Sequence, residues 1–591
     1  MLLDTHISMP NQDPLAENKF SLVSRDVRKW LKNLPYVDQD LAVQQFYDGL
    51  KRSNRQAHST KQRLAAIDIM RPVAHDFLKS QRKYLFTQPF PLSKKANEVL
   101  KLQQNILNEL AAAYKIVIQE TVNRDSLLGS KKLVTCVHHA MYYQLEQYIT
   151  LAQVYSEPPQ SFWQDLCQMY GIAEHFELTG LQIKNEIDLV NPKSTPKSLF
   201  IHACLLSLSN LHTYGHGEAE KIAAYLNHKK ELAILSDKIP TESEHVFYIN
   251  LALREPVRLL PQEEVPLSSK NRYIDASKLV EELKELSDSN EDIKTTTPDY
   301  ALNKSLSKRL HGKLISKPVR SSKRAIPAKG RLHVVMGLRD AIEVLQSGPN
   351  SRKKTPATPK PNLELMPLPA KSSQASTFFN DNHDKDAKDY NVSSANAWDW
   401  VSHGNVITET SSNAESQNNA AQDDSVILNP VIQTWDISNA SKGGYCLTSN
   451  NTSDYQSQVG DIILLRLEDK QDDAWRLGVI RWMQSLSERG VKMGIETLHG
   501  SINVLEVVDK HLSSERNNEF DYVLEVTEHT TSGTNKTVIT PPNSAANGDS
   551  LALRQNGRNI NVVFQLKLEQ TISFARFSYS EMPSMPHGDE G

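Results

Sequence analysis

The sequence predicts an α+β multidomain chain: an N-terminal all-α helical array, then a small C-terminal β-barrel and an extra β unit. Three observations predict this. Residues 20 to about 236 carry apolar side chains at three- and four-residue spacing, the period of a helix. After Val426 the chain turns to short runs of β-branched and aromatic residues separated by Gly, Asn, Asp and Ser clusters, the pattern of a small barrel. Between the halves, Ser351 to Asp424 is rich in Ser, Asn, Asp, Ala and Pro and has few periodic apolar residues, which reads as a disordered insertion.

In the helical region, periodic segments run from Ser21 to Leu34, Leu41 to Lys51, Ser59 to Lys79, Ser93 to Val122, Ser130 to Tyr155, Ser161 to Phe176, Leu199 to Leu211 and Glu218 to Leu235. Pro72 is expected to kink or split the third. The fourth carries the clearest stripe, Val99, Leu102, Ile106, Leu110, Ala113 and Val117, with Ser93 placed as its N-cap. No strict 34-residue signature appears, so short turns joining an antiparallel array are expected rather than a named solenoid. His245 to Leu253 reads as a strand, Ala276 to Leu286 as a helix, and 287–303 as polar loop.

The expected divisions are a flexible N-terminus (1–19), a helical domain (20–240) and a small mixed segment with a linker (241–303). A basic linker with the first barrel strand (304–345) and the insertion (346–425) follow. The barrel (426–510), the C-terminal β unit (511–580) and a tail (581–591) complete the chain. Strand-like runs in the β half include Val431 to Ile437, Gly444 to Leu447, Asp461 to Leu467, Trp475 to Trp482 and Val491 to Glu496. Phe520 to Thr527, Leu551 to Arg554, Ile560 to Lys567 and Thr571 to Tyr579 form the final group.

The 591 residues suffice for about four domains. With 39% hydrophobic residues, 23% charged residues and a net charge of −3, the chain is neither collagen-like nor disordered throughout. Its four cysteines form no CxxC pair, which argues against a disulfide scaffold or a zinc ribbon. The longest apolar runs, such as Leu110 to Val117, fall far short of the ~20 residues of a membrane span. No secretory signal is visible, so a soluble, cytoplasmic protein is expected.

The near-neutral average hides one local excess. From Lys304 to Arg331 there are ten cations and no acid, and a strand-like run, Leu332 to Leu338, follows at once. Within that run Arg320-Ser-Ser-Lys-Arg324 has the form Arg-x-x-x-Arg. Downstream, Asn439-Ala-Ser441-Lys-Gly-Gly444 has the form Asn-x-Ser-x-x-Gly and sits between two strands. Gly460-Asp-Ile-Ile, Trp475 to Trp482 and Lys492-Met-Gly-Ile-Glu add further strand pieces.

Together these residues resemble the PilZ domain, a bacterial receptor module for cyclic di-GMP. Its two signature elements occur in this order around a small β-barrel. The helical half, with Pro89-Phe-Pro-Leu92 and Leu110 to Tyr114, resembles the large PilZ-containing receptors of the FimW kind, linked to type IV pili and surface motility. The resemblance implies a cyclic di-GMP site at Arg320, Arg324, Asn439, Ser441 and Gly444. The chemistry suits those residues. Arg offers a planar fork for phosphate or the guanine O6/N7 edge and stacks on a base face. Asn439 and Ser441 can hydrogen-bond a guanine edge or a phosphate, and Gly444 clears space where the turn bends or the ligand comes close. Asp436-Ile-Ser438 offers a second register, but it puts Ser441 where Gly is wanted. Arg324 and Asn439 lie 115 positions apart, against a few tens in the family, so a long insertion must separate them.

Three functions follow as expectations. The first is a receptor without catalysis or cofactor, coupling cyclic di-GMP to a protein partner of the helical domain, in the pilus or motility machinery and with a polar location. The second is a protein-interaction scaffold whose PilZ domain no longer binds, with Trp398 and Trp400 as a docking spot. The third is nucleic-acid binding by the basic run, disfavoured because that run lacks interleaved aromatics. His212 and His216 have i, i+4 spacing but no evident third metal ligand, and His138-His139 should sit on different helix faces. Trp435, Trp475 and Trp482 are expected to fill the barrel core or its rim. No catalytic motif such as Gly-x-Ser-x-Gly or His-Glu-x-x-His occurs.

Overall fold

The computed structural model describes residues 7–13, 20–86, 88–123, 129–185, 192–260, 268–288, 300–315, 330–347, 430–450, 456–468, 474–486, 490–511, 520–530, 533–555 and 557–582. Met1–Leu345 and Ile427–Gly591 form one compact unit.

The helical array begins with α1 (Ser24–Lys32), α2 (Gln39–Asn54), α3 (Thr60–Phe86) and α4 (Lys94–Asn123). It continues through α5 (Ser130–Gln153), α6 (Ser161–His175), α7 (Pro196–Ser209) and α8 (Glu218–Lys229). Ser93 caps α4 by accepting from the Ala96 amide at 3.2 Å. Ile106, Leu110, Ala113 and Val117 lie in the main core, as their spacing predicts. α3 passes through Pro72 without a break. Buried Ala66, Ile67 and Met70 before it, and Ala74, Phe77 and Leu78 after it, anchor both halves, so packing outweighs the lost backbone bond. His138 and His139 do not diverge: both are buried and their Nδ1 atoms lie 3.2 Å apart. Burial lowers both pKa values.

The helical pattern from Glu218 stops at Lys229, and Ile234–Ser236 is instead a strand. It joins a four-stranded antiparallel sheet with Asn271–Asp275, Val246–Asn250 and Arg258–Leu259. α9 (Ser277–Asp288) follows, then α10 (Lys304–Leu314). The first third of the cationic run is therefore a helix. The Asn303 side chain accepts from the Leu306 amide at 2.8 Å, and Leu306, Leu310 and Leu314 are buried along one stripe.

Two closed barrels of six strands each complete the described residues. The first contains β1 (Arg331–Met336), β2 (Gln433–Ser441), β3 (Gly444–Ser449), β4 (Ile462–Leu467), β5 (Arg476–Ser485) and β6 (Val491–Leu498). The second contains β7 (Ser501–His511), β8 (Tyr522–Thr530), β9 (Gly533–Thr540), β10 (Ser550–Gln555), β11 (Arg558–Gln570) and β12 (Ala575–Glu581). Helix α11 (Leu338–Ser347) leaves β1 and packs at the contact between them. The order round the first barrel is β1-β2-β3-β6-β5-β4, and round the second β7-β8-β9-β12-β11-β10. Adding six to each label converts one order into the other, and every neighbouring pair in both is antiparallel.

Strand alternation explains the long apolar run in β4. Ile463 and Leu465 fill the first barrel, while Ile462 and Leu464 point outward and pack with Val335, Leu477 and Val479 against Leu524, Val526, Ile539 and Phe574 of the second. The barrels thus share a hydrophobic contact on one side of the first, which leaves β2, β3 and β6 on another.

The loop 456–461 before β4 meets both other bodies. The Tyr155 hydroxyl accepts from the Val459 amide at 3.1 Å, and the Gln458 side chain accepts from the His216 amide at 3.1 Å. Thr571 donates to the Gly460 carbonyl at 3.0 Å, and the Asp461 carboxylate accepts from Ser573 Oγ and from the Gln458 amide. α10 closes the junction: Arg309 binds Glu218 at 2.8 Å and Ser305 donates to the Gln570 carbonyl at 2.9 Å. Burial pushes the Asp461 pKa up from 3.8 to about 6.

A raised native pKa favours the neutral acid, so this contribution is full below the unfolded value of 3.8 and lost as pH rises through about 6. The full loss is about 3 kcal/mol. Asp461→Asn retains an acceptor for Gln458 and gains a donor for Ser573, so it should escape the loss. Denaturant unfolding should show the variant gaining on the wild type by up to about 3 kcal/mol between about pH 3 and about pH 7. An equal difference at both pH values would rule out a buried, titrating Asp461.

Candidate functional site

The Asn-x-Ser-x-x-Gly residues form the β2–β3 hairpin. Ser441 pairs with Gly444 and Asn439 with Cys446. A bulge between Ile437 and Asn439 adds Ser438 as an extra residue, whose hydroxyl meets Thr448 Oγ1. Before the bulge Trp435 and Ile437 turn into the barrel; after it Asn439 and Ser441 share the outer face with Gly444 and Cys446. Asn439 is exposed. The Ser441 hydroxyl donates to the Gly444 carbonyl at 3.3 Å, closing the turn, and the Thr497 amide donates to the Gly443 carbonyl at 3.0 Å. In the alternative register, Asp436 is exposed opposite Thr448 and Ser438 is the bulge residue itself.

Gly444 is required for a reason other than turn geometry. A Cβ there would lie 1.9 Å from the Ile495 carbonyl oxygen and 2.9 Å from its carbon, so the backbones of β3 and β6 approach only because position 444 has no side chain.

Arg320 and Arg324 lie outside the described residues, as do Trp398 and Trp400. The structure does fix where their segment ends. The Gly330 carbonyl accepts from the Ile437 amide at 2.9 Å, and Arg331 pairs with Asp436 in the ladder. The 115 positions between Arg324 and Asn439 thus collapse, because β1 and β2 are neighbouring strands. Arg324 is six residues before Gly330, a reach of at most about 20 Å, and Gly330 is bonded two residues from Asn439.

The electrostatics of this face are mixed. Glu496 pairs with Gly444 and is exposed. Arg481 Nε donates to Glu496 at 2.6 Å and its Nη atoms reach Glu569 of the second barrel. That guanidinium offsets the acid beside the hairpin and ties the hairpin's neighbour strand to the second barrel. Lys442 is exposed at the turn, and Lys492 is half-buried on the same outer face.

The second barrel provides an internal comparison. Its β8–β9 hairpin reads Glu528-His-Thr530-Thr-Ser-Gly533, with Thr530 pairing with Gly533 as Ser441 does with Gly444. The acid Glu528 stands where the first hairpin has Asn439. β6 ends at Leu498 and β7 begins at Ser501, so no arginine-bearing approach precedes this barrel. Four strand pieces are expected here from the sequence and six strands are present. β7 falls mostly within the range 426–510 expected for the first barrel but belongs to the second, and Thr534, Asn535 and Lys536 break the apolar pattern of β9, so the closure is not legible.

The remaining candidates are structural. His212 Nε2 lies 3.4 Å from Glu157, and His216 packs on Phe86. Among the described residues no group of three or more His, Cys, Asp or Glu is placed to hold a metal, and no helix is long and apolar enough to cross a membrane. Trp435 is in the core and Trp475 lies beneath Arg466 at 4.3 Å. Trp482 is on the outer face over Gly494.

Two family models match the chain in succession. The N-terminal domain of "Cyclic-di-GMP receptor FimW" matches residues 25–241, and its middle PilZ domain matches residues 247–501. Together they span about four fifths of the chain, and the second barrel lies beyond them. The protein named cyclic-di-GMP receptor FimW of Pseudomonas aeruginosa is 22% identical over 595 residues, covering 97% of this chain and 93% of that protein. No solved structure matches the chain. With the helical array in the place of one domain and the hairpin-bearing barrel in the other, the chain belongs to the FimW family of PilZ-domain proteins.

Proposed function

We propose that this chain is a cytoplasmic, non-catalytic receptor for cyclic di-GMP. The ligand lies on the outer face of the β2–β3 hairpin, where Asn439 and Ser441 meet a guanine edge or a phosphate and Gly444 keeps the hairpin seated on β6. Arg320 and Arg324 close on it from the segment that enters β1. The observation that carries the reading is the Gly330–Ile437 bond, which brings the end of the arginine segment beside the Asn-x-Ser-x-x-Gly hairpin. The name of the relative supports the choice of ligand.

Binding is passed to the helical array through loop 456–461, whose Val459 and Gln458 bond Tyr155 and His216. The array then engages a protein partner, a component of the type IV pilus or surface-motility machinery. The second barrel, with Glu528 in place of Asn439 and no arginine approach, takes no ligand, because an acid there repels a phosphate.

Hydrogen–deuterium exchange of the full chain with and without cyclic di-GMP tests the placement. Ligand should slow exchange in peptides covering 439–446 and 490–497 and leave 528–535 unchanged. Protection at 528–535, or none at 439–446 under saturating ligand, would contradict it.

A further inference from the structure

The pairing of the first barrel sets four residues in one lateral row on its outer face. Asn439 pairs with Cys446, Cys446 with Gly494, and Gly494 with Trp482. Neighbouring strands are ~4.8 Å apart, so three spacings carry the row about 14 Å from Asn439 to Trp482. A bulge between Ile480 and Trp482 turns the indole outward, while Met483 next to it is fully buried in the barrel core. Gly494 makes room for it: a Cβ there would lie 1.9 Å from Trp482 Nε1 and 2.3 Å from Cε2. The indole is half-buried, and it belongs to neither the barrel core nor the contact between the barrels. Lys492, in the next row of the same face, pairs with Thr448 on one side and Gln484 on the other.

We propose that Trp482 is a second recognition point of the same site: its ring stacks on the guanine distal to Asn439, with Lys492 beside a phosphate. This rests on the receptor reading. The row has a polar group at one end for a base edge and an aromatic face at the other for a base plane. Indole is a strong surface for a purine, because stacking needs only a π-face and no hydrogen-bond code. The same strand then reaches the helical array. Two residues beyond Trp482, the Gln484 side chain donates to Glu157 at 3.3 Å, and the Ser485 amide donates to the Tyr155 carbonyl at 2.8 Å. Tyr155 is also the residue that accepts from Val459 of the junction loop. A base on Trp482 therefore bears on the strand that Tyr155 and Glu157 hold.

Wild type, Trp482→Leu and Trp482→Phe are titrated with cyclic di-GMP by calorimetry, with thermal melting to check each fold. Trp482→Leu should weaken binding on the order of 10-fold or more, and Trp482→Phe by no more than about 3-fold, since a smaller ring still stacks. Ligand should also quench tryptophan emission in the wild type and lose most of that quench in Trp482→Phe. A folded Trp482→Leu chain that binds as the wild type does would overturn the inference and leave the receptor reading standing. So would an unchanged quench in Trp482→Phe. A wild type that takes up no cyclic di-GMP would overturn both.

Discussion

Replacing Arg320 and Arg324 together by Ala should weaken cyclic di-GMP binding by about 100- to 10,000-fold and leave the melting temperature unchanged. Each guanidinium is assigned charge-assisted hydrogen bonds to a phosphate or a guanine edge, worth about 1.5–3 kcal/mol. The pair together gives about 3–6 kcal/mol, which sets that range. Stability should not move, because among the described residues the barrel is closed by β1–β6 and filled by side chains such as Trp435, Leu447 and Ile480. Lys at both positions should rescue little, since a point charge cannot reproduce the planar fork. Added salt should reduce wild-type affinity and flatten the difference, as screening weakens exposed charges. Equal affinity of wild type and double variant would remove the arginines from the site.

Gly444→Val should unfold or loosen the first barrel, at a cost of about 3 kcal/mol or more. The new Cβ would fall 1.9 Å from the Ile495 carbonyl oxygen, and that oxygen belongs to backbone that cannot rotate away. The hairpin would have to lift from β6, breaking the Gly444–Glu496 pairing and the Thr497–Gly443 bond. Ligand binding should be lost with it, because Asn439 and Ser441 stand on the displaced hairpin. The equivalent glycine of the second barrel makes the contrast. A Cβ at Gly533 meets nothing within 4 Å, and its only obstacle is a φ of +141°. Gly533→Ala should therefore cost less, about 1–2 kcal/mol. Thermal unfolding of both variants checks this, and equal losses would mean that the contact with β6 is not what position 444 requires.

The parts of the fold that were legible are those coded by local pattern. The α4 stripe and its Ser93 cap could be read directly, because helical period and capping depend on residues a turn apart. α10 was equally local, with Asn303 and then Leu306, Leu310 and Leu314, but ten cations in the run drew it toward a linker. Pro72 shows the reverse case, where a strong local signal yields to buried neighbours on both sides. The hairpin residues could be picked out from their spacing, while the bulge that turns Asn439 to the outer face could not, because it depends on how β3 pairs. The meeting of 330 with 437 and the closure of the second barrel are long-range pairings with no local signature. The same holds for the junction at Asp461, whose partners Gln458 and Ser573 come from the two barrels.

The central claim is that this chain takes up cyclic di-GMP on the hairpin face of its first barrel. The most direct measurement is the calorimetric titration of the wild-type chain with cyclic di-GMP, run beside the Arg320→Ala/Arg324→Ala variant. Saturable heat at micromolar ligand, lost in the variant, is the predicted result; no heat from a folded wild type would contradict the account.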